Sequence, residues 1–197
     1  MDKTAYVLVG VVLGVFLNAL KEWWFQRGQN RKDLVYLTIR FACVLDTFVN
    51  SCVDVVADDG LCNGQPDPNG DCSIQVKTPK FEPLEIEVEW KSLPSELMYE
   101  LLNFPNLIES ANHTIDDAFE YLAIPPDYAE GFEKRQIQYA NLGLKAHALS
   151  EKLRKIGGLP LAEVRSPEDW DPVRYMAEKQ LKIGAYRAAS RKSPEAR

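Results

Sequence analysis

The chain has 197 residues, 46% of them hydrophobic and 26% charged, with a formal net charge of −6. Those proportions exclude a disordered chain, and the negative balance argues against general nucleic-acid binding. The length allows one domain with a substantial core beyond a terminal segment.

The first element is the apolar run Thr4 to Leu20, TAYVLVGVVLGVFLNAL, without charge or proline. As a helix it reaches about 25 Å, the short end of what crosses a bilayer core. It is apolar on all faces, unlike the one-sided pattern of a surface helix. A cleaved signal peptide needs small residues at its cut site, and Leu17-Asn18-Ala19-Leu20 offers a poor one. The run therefore reads as an uncleaved transmembrane anchor. Lys21, Trp23, Trp24 and Phe25 follow it as interface anchors, since indole rings and a snorkelling lysine suit the headgroup layer. Residues 1–25 form the expected anchor and belt.

Lys21, Arg27, Arg31 and Lys32 follow the run, whereas only Lys3 precedes it. The positive-inside rule places the N-terminus outside and the C-terminal domain in the cytoplasm of a single-pass protein. Within the run, Gly10 and Gly14 form G-x-x-x-G, with Asn18 one further step of four along. Small residues allow close helix approach, so these three are candidates for dimerisation with a second copy.

Residues 26–189 are expected to form a membrane-proximal helical domain. Arg27-Gly28-Gln29-Asn30 reads as a bend or a continuing stalk. A helix over Arg31 to Val56 follows from apolar steps of three and four at Leu34, Leu37, Phe41, Val44 or Leu45, Phe48, Cys52 and Val55. It should stop at Asp58-Asp59-Gly60.

An excursion spans 58–91. Its first part is dense in Gly, Pro, Asn and Asp, and loops this long are often functional. Asp58, Asp59, Cys62, Asp67, Asp71 and Cys72 are its candidate functional residues. Asp67, Asn69 and Asp71 resemble the opening of a calcium loop, but Cys72 stands where the turn glycine belongs and Thr78 where the bidentate glutamate belongs. Leu84, Ile86, Val88 and Trp90 alternate with glutamates, the period of a half-buried strand. Ile74 to Lys77 is its only near partner, which predicts at most a small β-hairpin.

Ser92 should cap a helix over Leu93 to Asn103, broken at Phe104-Pro105, and Asn106 should start another to Ala123. Asp127 should cap the longest helix of the domain, Tyr128 to Ile156. Its positions 128, 132, 135, 139, 142, 146, 149, 153 and 156 form a coiled-coil-like seam interrupted by Arg135. Gly157-Gly158 stops it. Asp171 and Pro172 open a last helix to Ala189, and 190–197 is expected to be a disordered tail. The fold class is thus mainly α: a transmembrane helix, then a helical bundle with a β-hairpin and long-loop excursion.

Chemistry is sparse. Cys43 and Cys52 would face opposite sides of one helix; Cys62 and Cys72 could pair only outside a reducing cytoplasm. No C-x-x-C, phosphate-binding or nucleophile-elbow motif occurs. Glu109–His113 and His147–Glu151 are spaced as exposed helix pairs. Asn112-His113-Thr114 fits the glycosylation pattern, which has no use in a cytoplasmic domain. No cofactor or catalytic residue is indicated. The alternative is a metal-dependent hydrolase using Asp58, Asp59, Asp67 and Asp71. Asp46 to Glu100 holds twelve acids against three lysines, whereas Lys152 to Arg197 holds eleven basic residues against six acids. The basic last helix, with Arg174, Lys179, Lys182 and Arg187 and the following Arg191 and Lys192, could rest on anionic lipid near the anchor.

With WWF after the anchor, DDGLCNGQPD, WKSLPSELMYE, PPDYAEGFEKRQIQYANLGL and DWDPVRY, the chain resembles a family of uncharacterised bacterial single-pass membrane proteins. The resemblance covers nearly the whole chain and implies no activity and no functional residues. The preferred expectation is a membrane-anchored interaction or scaffold protein, not an enzyme.

Overall fold

A computed structural model describes residues 3–160 and 169–192, with the side chains of 3–12, 19, 26 and 186–192 outside that description. Four α-helices make the fold: α1 (Lys3–Ala57), α2 (Ser95–Tyr121), α3 (Ala129–Gly157) and α4 (Pro172–Lys192). α3 is the central post, against which α1, α2 and α4 all pack. The architecture is a helical bundle, as the sequence predicts. The linker 161–168 and most of the expected tail lie outside the described residues.

The seam of α3 forms the core. Phe132, Arg135, Tyr139, Leu142, Ala146, Leu149 and Leu153 are all buried, and α1 supplies Leu37, Phe41, Leu45, Phe48, Cys52, Val55 and Val56 opposite them. At the end of α3 the glycine stop is built: Gly158 is left-handed at φ +66°, and the Leu159 N–H donates to the Arg154 carbonyl at 2.8 Å. Helices so often end this way because glycine takes that conformation without a Cβ clash. Asp171 opens α4, its carboxylate accepting the Val173 N–H at 2.9 Å.

One open alternative is resolved and two expectations are corrected. First, of the bend or continuing stalk expected at Arg27–Asn30, the continuing helix forms. α1 is one helix of 55 residues, about 80 Å long, in which Gly28 is simply carried. Second, α2 is also unbroken, with Pro105 inside it. Proline costs a hydrogen bond to the carbonyl four residues back. Here its neighbour Phe104 is locked edge-on against Phe48 and Phe81, both centroids at 5.4 Å, so burial of that ring holds the helix through the defect.

Third, no β-hairpin forms, and the described residues contain no strand, only an isolated bridge between Cys62 and Gln65. The alternating segment makes two 3₁₀ turns, Pro83–Glu85 and Trp90–Ser92. Its expected partner is otherwise engaged, because the N–H groups of Gln75 and Val76 both donate to the Asp58 carboxylate. Without a ladder, the alternation serves side-chain packing. Ile86, Val88 and Trp90 pack on the core while Leu84 stays 78% exposed.

Among the described residues no helix is long and apolar enough to cross a membrane. The expected transmembrane span is thus not found there; most of its side chains lie in 3–12, outside the description. What is described is that α1 projects from the bundle. Leu13, Val15, Phe16, Leu17 and Leu20 are exposed, and burial begins only at Asp33 to Leu37.

Candidate functional site

Two features organise the molecule: a buried polar node under the excursion, and the projecting half of α1. The node is centred on Asp58, just past the end of α1. One carboxylate oxygen accepts the Gly60 N–H at 3.0 Å. The other accepts the N–H groups of Gln75 at 3.1 Å and Val76 at 3.0 Å, and a guanidinium N–H of Arg135 at 2.8 Å. Arg135 also donates to the Val76 carbonyl, and Gln136 donates to the Asp58 carbonyl at 2.9 Å. The Asp58 and Arg135 side chains are each only 1% exposed.

Burial alone pushes the Asp58 carboxyl up. The N–H groups of Val76, Gly60 and Gln75 and the Arg135 charge outweigh it, holding the group below the usual carboxylate range. No buried side-chain nitrogen or oxygen among the described residues lacks a partner. The node is therefore a satisfied structural lock that pins the excursion onto α1 and α3.

This placement decides what the candidate loop residues can do. Asp58 has both oxygens committed and is closed to solvent, so it is withdrawn from the expected acidic metal site. Asp59 accepts the Leu61 N–H, and one Asp67 oxygen accepts the N–H groups of Asn69 and Asp71. These are turn-forming bonds of the kind that short acidic side chains make to following backbone. Among the described residues no three His, Cys, Asp or Glu side chains are grouped to hold a metal.

Cys62 is exposed beside its bridge, and Cys72 is half-buried with its N–H bonded to the Pro126 carbonyl. All four cysteines are free thiols, with Cys52 buried and Cys43 exposed as their spacing predicts. Glu109 and His113 lie 3.8 Å apart on an exposed face. Asn112, in the glycosylation pattern, is mid-helix, and its amide oxygen accepts the Tyr139 hydroxyl at 2.7 Å.

Sequence reasoning missed the lock. Its signal was Arg135, a charge in the middle of an apolar seam, which demands a buried partner. A second tie was also missed: Asp46 on α1 accepts the Ser150 hydroxyl at 2.8 Å and pairs with Arg154 at the end of α3.

The projecting half of α1 carries the other candidates. Gly14 has nothing within 4 Å of where a Cβ would stand, and Asn18 is exposed. The side-chain surroundings of position 10, the remaining member of the expected dimer face, lie outside the described residues. Lys21, Trp23, Trp24 and Phe25 are all exposed, with the Arg27 guanidinium 5.2 Å from the Trp23 ring centre.

The end of the bundle nearest this projection is made by Thr38 of α1, Gly157 of α3 and Trp90, whose ring lies 5.1 Å from Phe41. α4 begins further away. Its Met176 packs on Gly143 and Cys52, and Cys52 is about 22 Å along α1 from Leu37. Arg174, Lys179 and Lys182 therefore start away from the projecting end, while the side chains of Arg187, Arg191 and Lys192, the rest of the expected lipid-facing set, lie outside the described residues. The basic groups nearer to it are Arg40, Lys91 and Lys155.

No family model, characterised protein or solved structure matches the chain.

Proposed function

We propose that the protein is a membrane-anchored interaction or scaffold protein in which α1 is both the anchor and the first core helix of the domain. The observation that carries this reading is the continuity of α1. The rod of 55 residues packs in the bundle from Asp33 onward, whereas Leu13, Val15, Phe16, Leu17 and Leu20 before it are exposed. Exposed apolar helix is costly in water, and lipid is the medium that would cover it on all sides. The exposed Trp23, Trp24 and Phe25 stand where the apolar run ends, as an aromatic belt requires.

The basic cluster Lys21, Arg27, Arg31 and Lys32 supports a cytoplasmic domain. Residues 21–32, exposed wherever their side chains are described, would then act as a stalk of about 18 Å between the lipid and the bundle. A continuous helix transmits position and orientation, whereas a glycine-rich linker would not. That property suits presentation of a binding surface at a fixed height.

The test joins a C-terminal reporter, active on one side of the membrane only, with affinity capture from detergent-solubilised membranes. A reporter active in the cytoplasm, with specific protein partners co-purifying, is expected. A reporter active only outside would reverse the orientation, and a purified chain with metal-dependent hydrolase activity would replace the scaffold reading.

A further inference from the structure

We infer that the outward face of α1 pairs with the same face of a second copy, in one parallel seam running from the apolar run onto the domain. This names the partner of the projecting helix and rests on the membrane-anchored reading. Positions 14, 18, 21, 25, 32, 36, 39 and 43 fall within a sector of about 60° on a straight helix of 3.6 residues per turn. The residues there are Gly14, Asn18, Lys21, Phe25, Lys32, Tyr36, Ile39 and Cys43.

The uninterrupted course of α1 keeps this sector in register between its two halves. On the domain the sector faces away from the core: Tyr36 is 52% and Ile39 42% exposed, and Cys43 is exposed. Tyr36 is also held in place, its hydroxyl accepting an Arg40 guanidinium N–H at 2.9 Å and its ring 5.7 Å from that charge. Further along, Thr47, Asn50 and Asp54 make the sector polar, so the close seam ends at Cys43.

A second copy fits this face for three reasons. Two copies in one membrane are parallel, so a two-fold axis along the membrane normal sets each position against its own twin. A partner must follow the same spacing in lipid at Gly14 and Asn18 and in water at Tyr36 and Ile39, and a twin does so by construction. The seam from Gly14 to Cys43 is about 44 Å long and about 10 Å wide, so its two sides bury roughly 900 Å², more than most crystal contacts and in the range of a weak specific interface. Gly14 allows close approach, the Asn18 amide can bond across the pair, and the Lys21 and Lys32 stems can turn their charges outward.

The seam is tested on the full chain in native membranes with a short bismaleimide, which joins two thiols as thioethers. Wild type and the Cys62→Ser/Cys72→Ser variant should give a cross-linked dimer, reduced at least tenfold by Cys43→Ser. Ile39→Glu with Tyr36→Glu, both on an exposed face, should reduce it at least fivefold. A Lys155→Cys/Cys43→Ser chain, with its thiol at the same height on another face, should give none. Membrane-bound protein that does not cross-link through Cys43, or that cross-links equally through position 155, overturns the seam and leaves the anchor standing. Protein recovered outside the membrane fraction overturns both.

Discussion

Asp58 and Arg135 are separated by 77 positions in the chain and meet at 2.8 Å with both side chains sealed from solvent. The pair ties the end of α1 to the second turn of α3, and the remaining Asp58 bonds fold residues 60–76 over the joint. Asp58→Asn should destabilise the domain by about 3–5 kcal/mol, because it strands a buried guanidinium. Arg135→Met alone should cost a similar amount. The double variant should cost less than the sum of the two, measured by denaturant unfolding.

The same pair sets a dependence on pH. The Asp58 carboxyl is held below its ordinary value in the folded chain. A lowered folded value means that its contribution is complete above the unfolded value of about 3.9, and is lost as pH falls through the folded one. Melting curves should therefore show no change from this group between about pH 7 and 5 and a loss below about pH 4. Asp58→Asn should flatten that acid limb.

Thiol reactivity should follow burial. Burial pushes the Cys52 thiol far up. Cys72 is raised too, first by desolvation and then by the carboxylates of Asp127, Asp59, Asp71 and Asp67. Timed alkylation read by mass spectrometry should mark Cys62 first, Cys72 later, and Cys52 only on unfolding. Early labelling of Cys52 would contradict the packing of Met176 and Gly143 around it.

Two glycines give opposite expectations. Gly60 is left-handed at φ +83°, and an added Cβ would lie 2.4 Å from Phe132 and 2.9 Å from Cys72. Gly60→Ala should cost about 2–4 kcal/mol and loosen the lock. Gly28 has open space around it within a regular helix. Gly28→Ala should firm the stalk by about 0.5–1 kcal/mol, seen as slower amide exchange over 25–32 with no change in domain melting.

Periodicity exposed the helices because burial repeats along a single element. The seam of α3 needed only its own spacing, and the Gly157-Gly158 and Asp171-Pro172 signals needed only their neighbours. The lock was hidden because nothing near Asp58 in sequence points to Arg135. The alternation from Leu84 to Trp90 misled for the converse reason. A strand requires a partner with free N–H groups, and Asp58 had taken those of Gln75 and Val76. Pro105 misled because a local breaking signal was overridden by the burial of Phe104.

The central claim is that the first stretch of α1 is a membrane anchor and that the bundle folds beyond it. Cells making the full chain, and cells making residues 21–197 alone, are fractionated and the membranes washed with alkaline carbonate. The full chain should stay in the washed pellet, while the shortened chain should be soluble and show the same domain melting transition. Release of the full chain by carbonate, or retention of the shortened chain in the pellet, would contradict that claim.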